Sequence, residues 1–204
     1  MRAGLLRALR TIGLAALPFV LLVRGAVTAH AWFDAPGWVA VAVGAGLAAA
    51  CLTVLANRAT RRLTGRDRRR KIALVLALPL VVAFSVYSLG WLSHANAKTP
   101  EIRHRWQELH PALRLAVGTA RLADADVVVT DIGRRRADYV RMGLRPLERS
   151  RHYVQDDGWV HAVDLRTRGR GVVRNALARV WFAAMGFDTL RHTGSADHLH
   201  VALP

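Results

Sequence analysis

Apolar positions crowd into the first 93 residues of this chain as stretches rich in Ala, Val and Leu, whereas beyond them charged and apolar residues mix as in a water-soluble domain. Residues 37–56 form an uncharged run of about 20, and 72–92 is similar; at about 1.5 Å per residue each matches a hydrocarbon layer about 30 Å thick. Both runs predict transmembrane helices. Pro79 is tolerable inside the later one, and Trp38 and Trp91 sit near helix ends, where aromatic rings favour the membrane interface. The first apolar segment is clean only from Thr11 to Val23 before Arg24 interrupts it. It reads either as a span over 11–32 with Arg24 snorkelling outward, or as a signal peptide with a basic start and Ala29-His30-Ala31 as its cleavage site. The length rule favours the uncleaved span.

The remaining pattern predicts a small α+β domain with an antiparallel sheet. Ile102, Trp106, Leu109, Leu113 and Val117 recur at helical spacing, with a break at Pro111. Residues 127–130 read as a buried strand, 175–185 as a helix with Leu177, Val180, Trp181 and Ala184 on its apolar face, and 199–203 as a final strand. Between them, Asp156-Asp157-Gly158 separates two β-rich runs, which is a hairpin signal. The domains are therefore a membrane region over 1–94, with helices at about 11–32, 37–56 and 72–92, and a soluble domain over 98–204.

Charge gives this layout a direction. Of the formal +16, eight cations (Arg58, Arg61, Arg62, Arg66, Arg68, Arg69, Arg70 and Lys71) lie in one short connection between apolar runs. By the positive-inside rule that connection is cytoplasmic, so the chain leaves the membrane outward after Leu92. This account of the cations excludes nucleic acid as the expected partner and makes membrane lipid one. From Lys98 onward 18 Lys and Arg face 12 Asp and Glu, a moderately basic balance that suits an anionic polymer. Cys51 is the one cysteine, so no intrachain disulfide can staple the outer domain.

Candidate chemistry gathers in the hairpin and the C-terminus. A three-residue turn at 156–158 would place His152 and Asp164 on one sheet face, whereas a two-residue turn would separate them. His161, three residues from Asp164 in an extended strand, points the other way, which favours His152 as a ligand. In Asp197-His198-Leu199-His200 the two histidines share a strand face. Two His and a carboxylate with an open position are what catalytic zinc requires. His94, His104, His110 and His192 read as ordinary surface or core residues.

The run Ser150, His152, Gly158, Ala162, Asp164, followed by LARVWFAAMGFD and then HLHV, resembles the hedgehog signalling domain and the zinc D-alanyl-D-alanine metallopeptidases that share its fold, of the M15 type. The likeness covers roughly 127–204, with a longer segment between His152 and Asp164 than the usual motif. It implies Zn2+ held by His152, Asp164 and His200, His198 as oxyanion stabiliser, Asp197 as general base and Arg134 as a transition-state arginine. It further implies a membrane-anchored zinc peptidase, of D,D- or L,D-type, acting on peptidoglycan stem peptides or crossbridges from the periplasmic or outer face of the cytoplasmic membrane. The alternative it allows is a non-catalytic zinc-containing module that binds the wall or signals. An Asp197 turned away from the metal would favour that alternative.

Overall fold

The computed structural model describes residues 2–141, 143, 145, 147–194 and 197–204. The chain divides into two compact units, Met1–Val86 and Tyr87–Pro204.

Helices α1 (Arg2–Phe33) and α2 (Gly37–Thr64) are followed by a third helical run made of α3 (Arg69–Ile72), a π-helical turn (Ala73–Ala77) and α4 (Leu78–Gly90). Three stretches, Gly4–Phe33, Gly37–Thr64 and Arg69–Gly90, are long and apolar enough to cross a membrane, so this is a membrane protein by the length and composition of its helices. α1 runs unbroken through Arg24, and α2 continues past Ala56 to a left-handed Gly65 at φ 69°, a conformation that suits glycine at a helix C-terminus. The π turn has a local cause. The Leu78 N–H donates to the Ala73 carbonyl immediately before Pro79, which has no N–H and whose ring crowds the carbonyl four residues back. α1 and α2 meet through glycines. A Cβ on Gly44 would lie 2.1 Å from the Leu22 carbonyl oxygen, so only glycine permits this approach.

The second unit contains α5 (Pro100–His104), a 3-10 turn (Arg105–Glu108), α6 (Pro111–Ala123), β1 (Val129–Asp131), α7 (Arg136–Arg141), β2 (Ala162–Arg166), α8 (Val172–Ala184), β3 (Asp188–His192) and β4 (His198–Ala202). The four strands form one antiparallel sheet in the order β1-β2-β4-β3. Pro111 breaks the amphipathic pattern as its chemistry dictates. It starts α6, and His110 before it accepts the Ala112 N–H through Nδ1. Leu113, Leu115, Val117, Val163, Leu165, Phe182 and Leu199 form the buried core, and Arg114 is buried with them. The Arg114 guanidinium donates to the Leu89 carbonyl at 2.8 Å and to Gln107, and its burial lowers its pKa to about 10.

Two features depart from the pattern. α8 forms, but Leu177 and Val180 are each 64% exposed while Asn175 and Phe182 are buried. The helix is rotated because Asn175 ties it to the Thr167 carbonyl at 3.0 Å and Phe182 meets Phe187 edge-on. The hairpin is also much shorter than its sequence suggests. Gln155 does face Trp159, through an N–H to carbonyl bond of 2.8 Å, and Val154 bridges Val160. There the pairing slips, with the His161 N–H donating to Arg151, and residues 150–153 close into a turn. β2 pairs instead with β1 and β4.

Candidate metal centre

Sheet register builds most of the site. Asp164 on β2 lies directly opposite His200 on β4, and Arg166 opposite His198, so the HxH alternation puts both histidines on the face that Asp164 occupies. His152 arrives from the 150–153 turn rather than from a paired strand. Its Nδ1 donates to the Ile132 carbonyl at 2.5 Å, and the Arg134 N–H donates to the His152 carbonyl at 2.9 Å, which clamps the turn against the segment after β1. With Nδ1 holding the proton, Nε2 of His152 is left as a lone-pair donor, the tautomer a metal ligand requires.

Nε2 of His152, Nδ1 of His200 and Oδ1 of Asp164 form a triangle with sides of 3.2, 2.9 and 3.3 Å. Two ligands bound tetrahedrally to zinc at about 2.0–2.2 Å would be about 3.3–3.5 Å apart, so this triangle fits a small metal ion with little adjustment. His152 and Asp164 are buried, and His200 is half-buried. The three form one of the His and Asp groups of the described residues that can hold a metal.

Arg134 and His198 adjoin the triangle on the other carboxylate oxygen. The Arg134 guanidinium donates to Oδ2 of Asp164 at 2.6 Å and to Asp131 at 2.5 Å, and Nε2 of His198 lies 3.5 Å from Oδ2 of Asp164. Burial opposes ionisation of Asp164, but its polar surroundings, with His152 and His200 against one carboxylate oxygen, outweigh it and hold the carboxyl well below the usual carboxylate range. Burial likewise works against the charge of Arg134, and Asp131 and Asp164 more than restore it.

Asp197 stands elsewhere. Its carboxylate accepts from the Thr167 hydroxyl at 2.5 Å and from the Arg191 guanidinium at 3.0 and 3.2 Å. Arg191 and Thr167 hold its pKa below the ordinary value, and it is not one of the atoms of the triangle. His161 points away from Asp164, as strand alternation predicts, and bonds to Asp157 at 2.8 Å. His110, Asp157 and His161 also lie within ligand range of one another. In His110, however, Nδ1 accepts the Ala112 N–H, so the neutral ring carries its proton on Nε2 and suits a hydrogen bond better than a metal there.

His192 is the residue that the sequence pattern passed over. It faces His198 across the β3–β4 pair, and the two rings stack at 4.7 Å and 25°. Burial, then the neighbouring His198, lowers its pKa, so it stays neutral at pH 7. The faint signal was the pairing itself, since a hairpin ending in HLHV brings the preceding His192 opposite His198.

Fold and site define a class: a membrane protein whose α+β unit carries a His-Asp-His cluster of metal-ligand geometry beside an arginine and two further histidines. No family model, curated protein or solved structure matches the chain.

Proposed function

We propose that the chain is a membrane-anchored zinc peptidase that hydrolyses peptidoglycan stem peptides or crossbridges, with its second unit on the outer side of the cytoplasmic membrane. The observation that carries this reading is the triangle of His152 Nε2, His200 Nδ1 and Asp164 Oδ1, whose sides of 2.9 to 3.3 Å match one small ion. Zinc held there would supply a Lewis acid for a peptide carbonyl and a bound water whose pKa falls toward about 7. The chain's own groups supply the rest. The His198 ring and the Arg134 guanidinium, both beside Asp164, would stabilise negative charge developing on the substrate oxygen. Asp197 would serve as the base toward a metal-bound water, provided its carboxylate is released from Arg191 and Thr167, to which it is bonded here. The resemblance to the hedgehog and D-alanyl-D-alanine peptidase fold supports the substrate class, and the eight-cation connection supports the orientation.

The pairing of Asp197 with Thr167 and Arg191 favours a second reading, a zinc-containing module that binds wall peptides without turnover. One experiment separates the two. The full chain, purified in detergent, should bind about one zinc per molecule and cleave muropeptides, with activity lost in Asp197→Ala while zinc remains. Zinc binding and muropeptide affinity without cleavage would establish the module, and absence of zinc would remove both.

A further inference from the structure

The cations of residues 58–71 are folded into a site rather than strung along a loop. Asn57 is 2% exposed, and its side-chain oxygen accepts the Arg68 N–H at 2.9 Å, so the connection after Gly65 turns back on α2. That fold brings Arg69 beside Arg58, Arg61 and Arg62, which share one face of α2 by their spacing. These four arginines, with Val54 and Asn57, line a cavity of about 490 Å³. Asp67 is the only acid between residues 57 and 71, and it pairs with Arg69 at 3.4 Å. Among the described residues none of Arg58, Arg61 and Arg62 forms an ion pair.

Depth identifies what such a cavity meets. Counted from Gly37 at about 1.5 Å per residue, the roughly 30 Å of hydrocarbon is used up by Ala56. Val54 therefore lies within the last apolar turn, and Arg58 to Arg62 lie a few ångströms beyond it, in the headgroup layer. Guanidinium groups recognise phosphate oxygens in a bidentate manner, and several around one opening concentrate that attraction.

We propose that this cavity binds an anionic phospholipid, its phosphate held by Arg58, Arg61, Arg62 and Arg69 and an acyl chain running along Val54. A lipid rather than a soluble anion is the ligand because Val54 lines the cavity beside the arginines and lies at the hydrocarbon boundary. The site is independent of the zinc centre and of which side of the membrane the connection faces.

The test uses the full chain in detergent, with retention of phosphatidylglycerol against phosphatidylcholine measured by native mass spectrometry. A triple variant, Arg58→Lys, Arg61→Lys and Arg62→Lys, keeps the charge and so keeps membrane insertion, but loses the bidentate geometry. Arg66→Lys, Arg68→Lys and Arg70→Lys form the control in the same connection. Wild type should prefer phosphatidylglycerol by about tenfold, with most of that preference lost in the cavity variant and retained in the control. Equal loss in both variants, or no preference in wild type, would overturn the site. Displacement of the lipid by millimolar inorganic phosphate would show a soluble-anion site and overturn the lipid assignment.

Discussion

The buried carboxylate of Asp164 decides how the centre responds to pH before any metal is bound. Its pKa lies below the ordinary value of about 3.9, so its contribution to folding is fully present above pH 4 and is lost as pH falls through the folded value. Asp164→Asn should therefore destabilise the metal-free protein by about 2 kcal/mol at pH 7, because Arg134 and His200 lose a charged acceptor. That difference should persist to pH 5 and shrink below pH 4, as read from unfolding curves of both forms across that range. A constant difference down to pH 2 would show that the charge is not what matters. Zinc stoichiometry gives a companion test, since His152→Ala should fall from about one ion to nearly none while His192→Ala keeps its metal. Asp164 and His200 could be read from the sequence as candidate ligands because strand spacing puts them on one sheet face, whereas His152 was named from a hairpin pairing that the structure replaces with the 150–153 turn. His192 and Asp131 could not, since each enters only through pairing with a strand whose own pattern is weak.

Among the elements, the apolar pattern located helices well and their faces less well. The membrane helices were legible because their runs are uniformly apolar, and α6 because Pro111 marks its start. β3 was not, since its residues alternate only between exposed and half-buried and include few strand formers. α8 shows why a face can be misread. Its sequence offers apolar residues all round, so the burial was settled by tertiary ties from Asn175 and Phe182 rather than by periodicity. The consequence is measurable in chemical unfolding. Phe182→Ala should cost about 3–5 kcal/mol, whereas Leu177→Ala should stay within about 0.5 kcal/mol of wild type. The reverse order would restore the face that spacing alone suggests.

For the whole molecule, the orientation proposed for the membrane helices and the activity proposed for the centre stand or fall together, because peptidoglycan lies only outside the cytoplasmic membrane. In the proposed orientation the positive-inside rule would put residues 58–71 in the cytoplasm, and one further span would carry the chain out. Whether or not the first segment is cleaved, the second unit ends on the same side. Single cysteines in a Cys51→Ser background test this directly. Lys98→Cys, at an exposed position, should react with a membrane-impermeant maleimide on intact spheroplasts, while Arg66→Cys should react only after permeabilisation. The opposite labelling would put the His152, Asp164 and His200 cluster in the cytoplasm. A metal held by that cluster would survive that result, since its geometry lies entirely within Tyr87–Pro204, but a cell-wall substrate would not.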